Sequence, residues 1–241
     1  MSTPDPAAPL LAARGLTAGY GPMQVLWGID LDVSRSESVL LLGTNGAGKT
    51  TTLKVLVGLM AAKAGAITFE GAEFSQLRTD KRMRAGIAYM SELGVFPDLT
   101  IAENIRVGAQ SVGRAEVARR ADELYALFPV LKEKRSQAAS SLSGGQRKML
   151  GIAKALASKP KLLVMDEPSA GLSPLFVSEV LRALASLRGR GLSLLIAEQN
   201  IGFLDIADRV LVLEGGRIRF TGTVSAMNDD ADLRKAYFGL K

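Results

Sequence analysis

Residues 43–50 read Gly-Thr-Asn-Gly-Ala-Gly-Lys-Thr, which matches the phosphate-binding pattern GxxxxGK[ST] at every fixed position. The loop follows the apolar run 39–42 and precedes a helix-like stretch at 51–57. Its glycines let backbone N–H groups approach a phosphate closely at a helix N-terminus. Lys49 is expected to reach the β- and γ-phosphates, and the Thr50 hydroxyl is expected to bind Mg²⁺. This context predicts an ATP or GTP site rather than an ordinary glycine-rich turn.

The composition is that of a globular protein of 241 residues, 47% of which are hydrophobic. That length fits one α/β domain or a core that carries a smaller lobe. The aliphatic runs span four or five residues, far fewer than the ~20 that cross a bilayer, so a soluble or peripheral protein is expected. Residues 1–9 lack the pattern of a secretory signal and are predicted to be a flexible tail.

Two residue types, cysteine and histidine, do not occur in the sequence. Without cysteine there is no disulfide framework and no thiolate chemistry. Without histidine, proton transfer must use carboxylates, amides or water. The net charge of +6 suits an acidic partner such as a nucleotide, an anionic lipid or nucleic acid. It carries little information, because no Lys/Arg block exceeds a few residues.

Short apolar runs alternate with helical patterns along the chain, which predicts a largely parallel sheet covered by helices. These runs are 39–42, 87–90, 162–165, 192–197 and 210–213. Residues 10–16 and 25–33 have β-type patterns separated by the turn Gly19-Tyr20-Gly21-Pro22, which indicates an antiparallel layer. Residues 100–157 have no β-type run. We therefore predict one α/β domain over 10–241, with a core lobe (10–90 and 158–241) and an inserted helical lobe (91–157).

A second motif, Leu-Ser-Gly-Gly-Gln at 142–146, is followed by a helical pattern at 147–157. Asp166-Glu167 then ends the apolar run 162–165, 20 residues after Gln146. With these motifs in this order, the chain resembles the nucleotide-binding subunits of ATP-binding cassette (ABC) transporters from about residue 10 to the C-terminus. The resemblance implies an ABC ATPase domain, which is a RecA-like P-loop NTPase core with an N-terminal antiparallel β layer and an inserted helical subdomain. It also implies ATP and Mg²⁺ as cofactors.

The resemblance assigns roles to individual residues. Two cassettes of this family pack head to tail, so the signature residues would contact the nucleotide held on the partner's phosphate loop. Asp166 would orient Mg²⁺, and Glu167 would polarise the attacking water. Tyr20 would stack on adenine, with packing against the antiparallel layer as the alternative. The implied nucleotide-binding residues are Tyr20, Gly43, Thr44, Asn45, Gly46, Ala47, Gly48, Lys49, Thr50, Thr51, Ser143, Gly144, Gly145 and Gln146.

The sequence departs from the general family pattern at three positions. Gln199 stands where most cassettes have a histidine that touches the γ-phosphate, so it is a candidate catalytic residue that cannot carry a proton or a charge. Ser173 stands where an aspartate is usual. Ser91 falls at the lid glutamine and is a candidate metal ligand, with Glu92 beside it as a possible substitute.

The strings Glu198-Gln199-Asn200, 167–172 and 233–239 resemble the LivF-type ATPases of bacterial branched-chain amino acid importers. In that subfamily a glutamine often replaces the histidine. The resemblance implies an ATPase subunit peripheral to the cytoplasmic face of the membrane. Its partners would be a second cassette (LivG-like or a second copy), two permeases and an external solute-binding protein, with no nucleic acid.

Other functions fit some of these features. Import of urea or short amides is compatible with the same residues. A DNA-maintenance ATPase shares the phosphate loop and the LSGGQ motif, but such proteins are split by long heptad repeats that this sequence lacks. An ABC translation factor would carry two cassettes. A GTPase is disfavoured, because no Asn-Lys-x-Asp string occurs.

Overall fold

The computed structural model describes residues 8–91 and 94–238 of the chain. The described residues leave out most of the predicted tail. They also leave out Glu92 and Gly239, the last residue of the C-terminal string. The strands are β1 (Leu11–Tyr20), β2 (Met23–Val33), β3 (Ser38–Leu42), β4 (Ala64–Phe69), β5 (Ala72–Glu73), β6 (Ile87–Met90), β7 (Leu162–Asp166), β8 (Ser193–Glu198), β9 (Arg209–Glu214) and β10 (Arg217–Thr223). The α-helices are α1 (Lys49–Leu56), α2 (Thr79–Ala85), α3 (Ile101–Gly108), α4 (Arg114–Leu127), α5 (Pro129–Glu133), α6 (Gly144–Leu156), α7 (Pro174–Arg188), α8 (Val224–Asp229) and α9 (Ala231–Phe238).

The larger sheet has six strands in the order β10-β9-β3-β8-β7-β6. Five of them run parallel, and β10 returns antiparallel along β9. The five predicted apolar runs are confirmed as these parallel strands. Leu40 packs into a core shared with the helices, whereas Leu41 packs into a core shared with the smaller sheet. Both faces are therefore buried, which explains why the runs are continuously apolar rather than alternating.

The smaller sheet is antiparallel, with the strand order β2-β1-β4-β5. It confirms the predicted antiparallel layer, but the predicted four-residue turn is wrong. Tyr20 is the last residue of β1 and pairs with Met23, so the connection is the two-residue turn Gly21-Pro22. Gly21 has a φ of 56°, the left-handed conformation that tight hairpin turns need. Tyr20 is thus held by strand pairing.

The stretch predicted as the helical lobe holds the helices α3 to α6 and a short 3₁₀ helix at Ala139–Ser141. α3 begins at a capping box in which Thr100 and Glu103 exchange side-chain to backbone hydrogen bonds. α6 begins at a second capping box between Ser143 and Gln146. These caps satisfy N–H groups that a helix start leaves unpaired. Of the helices in the described parts of the chain, none is both long and apolar enough to cross a membrane.

The parallel strands end at one edge of the larger sheet, because their registers are aligned. Leu42 on β3 pairs with Glu198 on β8, and Asp166 on β7 pairs with Ala197. The phosphate loop, Glu167 and Gln199 each follow one of these strand ends. The fold therefore gathers motifs that are far apart in sequence at the carboxyl edge, where open α/β sheets bind their ligands.

Candidate active site

The phosphate loop connects the buried strand β3 to the N-terminus of α1. Gly48 precedes α1 with a φ of 109°, a conformation that residues with a Cβ rarely adopt. A Cβ on Gly43 would lie 2.6 Å from the Leu213 carbonyl oxygen, because the loop runs close against β9. The sequence thus places glycine where a tight anion-binding turn needs it.

A cavity of about 780 Å³ opens over this loop. The predicted site residues that line it are Tyr20, Asn45, Gly46, Gly48, Lys49, Thr50, Thr51, Ser91, Asp166 and Glu167. Gly43, Thr44 and Ala47 complete the backbone of the loop. The volume lies within the range of roughly 300–1,000 Å³ that is common for small-molecule pockets. The cavity is therefore large enough for a nucleotide.

Lys49 lies at the base of the cavity with only 4% of its surface exposed. Its Nζ donates to the Gly43 carbonyl oxygen at 2.8 Å and to the Thr44 carbonyl oxygen at 3.2 Å. The same ammonium lies 3.1 Å from Glu167 Oε1. Lys49 therefore places one positive charge between the phosphate loop and the predicted catalytic carboxylate.

Asp166 receives two hydroxyl hydrogen bonds at the end of β7. Thr50 Oγ1 donates to Oδ1 at 3.1 Å, and the Tyr89 hydroxyl donates to Oδ2 at 3.1 Å. Burial raises the pKa of Asp166 above its usual range, although both hydrogen bonds act in the opposite direction. Burial, and then the charge of Asp166, raises the pKa of the Tyr89 hydroxyl, which keeps it a hydrogen-bond donor. Clustered hydroxyl and carboxylate oxygens are ligands that Mg²⁺ prefers, so Thr50 and Asp166 fit this ion.

Glu167 has a left-handed backbone with a φ of 47°, which is uncommon for a residue other than glycine. Its N–H donates to the Ala197 carbonyl oxygen at 2.9 Å. Its own carbonyl oxygen accepts from Lys148 Nζ on α6 at 3.1 Å. Such backbone conformations persist where surrounding contacts hold them, and they cluster at functional sites.

The signature residues lie at the N-terminus of α6, and they are not among the residues that line the cavity. Ser143 and Gly144 are exposed. Gly145 is buried, and a Cβ there would lie 2.4 Å from the Phe176 ring on α7, so this glycine is also required for packing. Contact between Ser143–Gln146 and a nucleotide on a second cassette stays a prediction.

The remaining predicted residues differ in their placement. Tyr20 lines the cavity with 47% of its surface exposed, and its hydroxyl lies 3.5 Å from Thr51 Oγ1. Ser91 also lines the cavity, while its Oγ accepts from the Gly94 N–H at 3.3 Å. Gln199 is exposed and is not among the cavity-lining residues, so its contact with a γ-phosphate stays a prediction. Ser173 precedes α7 at the N-cap position.

A family model described as ABC transporter matches residues 26–170, which is more than half of the chain. The chain belongs to the ABC transporter family. It is therefore an ABC ATPase, and the predicted fold, enzymatic class and family resemblance are confirmed.

Relatives of this ABC ATPase match it over nearly the whole length of both chains. It is 40% identical to the high-affinity branched-chain amino acid transport ATP-binding protein BraG of Pseudomonas aeruginosa, over 95% of this chain and 100% of that protein. It is 35% identical to the probable branched-chain amino acid transport ATP-binding protein LivF of Archaeoglobus fulgidus, over 96% and 99%. It is 35% identical to the lipopolysaccharide export system ATP-binding protein LptB of Haemophilus influenzae, over 95% and 97%.

Solved structures confirm the fold of this ABC ATPase. A nucleotide-free ATP-binding cassette from an ABC transporter has a TM-score of 0.84 at 23% identity, over 95% of this chain and 99% of that one. The dimeric structure of a bacterial ABC transporter cassette has a TM-score of 0.80 at 21% identity, over 89% and 98%.

In this ABC ATPase we expect Tyr20→Ala to raise the KM for ATP about ten-fold while kcat stays nearly unchanged, because stacking on a base contributes ~1–3 kcal/mol. Steady-state phosphate release measures both constants. Tyr20→Phe is the matched control, since it keeps the ring and removes only the hydroxyl near Thr51. If Tyr20→Ala lowers the melting temperature and leaves KM unaltered, the ring packs against the sheet and does not stack on adenine.

For Gln199→Ala we expect kcat to fall about ten-fold, because one hydrogen bond from the neutral amide of Gln199 to the charged γ-phosphate would be lost. ADP affinity is the internal control and should not change, because ADP lacks that phosphate. ATP-driven dimerisation, followed by sizing chromatography, should weaken in parallel. If Gln199→Ala hydrolyses ATP with the wild-type kcat, both alone and with its partner subunits, Gln199 has no role in hydrolysis.

The contacts of three residues near the ABC ATPase site escaped the sequence analysis: Tyr89, Lys148 and Glu198, whose carboxylate accepts from backbone N–H groups including that of Ser169. Tyr89 lies on β6, beside β7, and a tyrosine inside the otherwise apolar run 87–90 was a usable signal. Glu198 was quoted only as part of a subfamily string, although a charged residue directly after the apolar residues 194–197 was also a signal. Lys148 gave none, because a lysine on an amphipathic helix is ordinary.

Proposed function

We propose that this ABC ATPase powers an importer of branched-chain or other hydrophobic amino acids. The observation that carries the proposal is the 40% identity to BraG over the full length of that protein. The Glu198-Gln199-Asn200 string of the LivF-type subfamily supports it. In the proposed assembly the chain lies on the cytoplasmic face of the membrane. A second cassette, two permeases and an external solute-binding protein complete the importer.

Within that proposal, this chain's residues divide the work of hydrolysis. Lys49 and the loop N–H groups bind the β- and γ-phosphates, and Tyr20 stacks on the adenine. Thr50 and Asp166 would hold Mg²⁺, which supplies charge neutralisation on the phosphate oxygens when bound. Glu167 orients and polarises the attacking water. Ser143 and Gly145 meet the nucleotide of the second cassette.

Coupling to transport follows from a nucleotide site that is shared between the two cassettes. ATP would bind more tightly when two cassettes are closed around it, because each contributes groups that the other lacks. Its binding therefore shifts the pair to the closed state, and hydrolysis removes that preference. The permeases would be driven between orientations by this cycle of closing and reopening.

Lipopolysaccharide export is a second candidate, because LptB of Haemophilus influenzae is 35% identical over 97% of its length. Both candidates use the same ATPase site, so the site residues do not separate them. The partner subunits and the transported molecule have to distinguish amino acid import from lipopolysaccharide export.

Uptake assays in cells that lack the gene test the proposal. We expect uptake of radiolabelled leucine, isoleucine and valine to be lost, and to be restored by the wild-type gene but not by Glu167→Gln. Urea uptake is measured in parallel. Tagged protein extracted with detergent should co-purify with two permeases. Unchanged amino acid uptake together with loss of surface lipopolysaccharide would reject import and favour export.

A further inference from the structure

Glu198 ends β8 with a carboxylate that is almost completely buried, since only 2% of the residue is exposed. Its Oε1 accepts a hydrogen bond from the Ser169 N–H at 2.7 Å. Its Oε2 accepts from the N–H groups of Gln199 at 3.1 Å and Asn200 at 3.2 Å. A charge buried in this way is stable only when hydrogen bonds replace its hydration, and three backbone donors do so here.

These donors belong to two different turns. Ser169 lies two residues after Glu167, in the turn that leads from β7 towards α7. Gln199 and Asn200 lie in the turn that follows β8, where the Asn200 side chain accepts from the Gly202 N–H and begins a 3₁₀ helix. A single carboxylate therefore joins the turn after Glu167 to the turn that contains Gln199.

The end of β8 also contacts the backbone of Glu167 itself. The Glu167 N–H donates to the carbonyl oxygen of Ala197, the residue before Glu198. Two hydrogen bonds thus fix Glu167. One is donated by its own N–H, and the other is donated by the Ser169 N–H, two residues later, to the Glu198 carboxylate. Its left-handed φ of 47° makes this support important, because such a conformation relaxes when its surroundings stop imposing it.

We infer that Glu198 is a positioning residue for ATP hydrolysis: its carboxylate sets the place of Glu167 relative to Gln199. The inference rests on the proposed role of Glu167 as the residue that polarises water. Glu198 is not among the residues that line the cavity over the phosphate loop. Because the hydrolytic rate is sensitive to small displacements of a reacting group, loosening this carboxylate should lower kcat. The phosphate contacts of Lys49 lie on another segment, so ATP affinity should be retained.

Glu198→Gln tests the inference, since an amide presents one acceptor oxygen and one NH₂ group that cannot accept from a backbone N–H. We expect kcat per ATP-binding site to fall about ten-fold or more, because charge-assisted hydrogen bonds are lost, while the Kd for ATP changes less than about three-fold. Active sites are counted with a fluorescent ATP analogue, so that unfolded protein does not enter the rate. Glu198→Asp keeps the charge but shortens the reach to Ser169, and its kcat should be intermediate.

Glu37→Gln is the matched control. Glu37 also accepts a backbone N–H, from Ser34 at 2.6 Å, and it pairs with Arg209 at the amino end of β3, opposite the phosphate loop. This variant should lower the melting temperature and keep kcat. A wild-type kcat per site in Glu198→Gln, or an equal loss of kcat in Glu37→Gln, would overturn the inference. If Glu198→Gln does not fold, Glu198→Asp decides by the same criteria.

Glu167→Gln, assayed alongside, separates this inference from the role on which it rests. Full turnover by Glu167→Gln would reject Glu167 as the residue that polarises water. A hydrolytically dead Glu167→Gln with a fully active Glu198→Gln would reject only the positioning role of Glu198.

Discussion

Lys49→Ala is expected to abolish productive ATP binding and hydrolysis, because it removes the only cation of the GxxxxGK[ST] loop. Lys49 is already buried and oriented by the Gly43 and Thr44 carbonyl oxygens, so little order has to be gained when phosphates bind. A hydrogen bond to a charged group contributes about 1.5–3 kcal/mol, and Lys49 would make more than one. The loss should therefore lower ATP affinity by about two orders of magnitude or more.

Isothermal titration calorimetry with ATP and a phosphate-release assay measure the two effects of Lys49→Ala. Lys161→Ala is the control, because it removes a lysine that pairs with Glu70 on the surface and is not among the cavity-lining residues. That variant should bind and hydrolyse ATP like the wild type. Wild-type affinity and turnover in Lys49→Ala would show that the loop does not bind the phosphates in the proposed way.

Glu167→Gln should bind ATP and fail to hydrolyse it. Glutamine keeps the size of the side chain and an acceptor oxygen, so the left-handed turn and its contacts with Ala197 and Lys148 are retained. The substitution removes the negative charge that faces Lys49 Nζ at 3.1 Å and that polarises water in the proposed mechanism. Groups that move a proton in the transition state contribute roughly 10²–10⁴-fold to the rate, and a loss in that range is expected.

A stalled dimer is the second expected property of Glu167→Gln. With ATP and Mg²⁺ it should elute as a dimer from a sizing column, dissociate slowly and release no phosphate. Glu37→Gln makes the same chemical change at the opposite end of β3 and should remain an active ATPase. Full turnover in Glu167→Gln would exclude it as the catalytic carboxylate.

The strands were predictable where their burial leaves a run of apolar residues in the sequence. The strands β3, β6, β7, β8 and β9 are buried on both faces, so each appears in the sequence as an uninterrupted apolar run. β4, β5 and β10 were not predicted. Residues of β10 alternate between exposed and half-buried at the edge of the sheet, and the first half of β4 is exposed. A strand that buries little leaves little hydrophobic signal.

The phosphate loop, the signature string and the Asp166-Glu167 pair were determined by the sequence alone, because each motif consists of consecutive residues whose chemistry is local. Only the tertiary structure decided how they are held. Tyr89 and Asp166 are 77 positions apart, Glu198 and Ser169 are 29 apart, and Lys148 and Glu167 are 19 apart. Such contacts depend on strand register and on the docking of α6, which bring together residues that no short pattern connects. The left-handed conformation of Glu167 has the same origin, because long-range contacts hold a backbone that its own sequence does not favour.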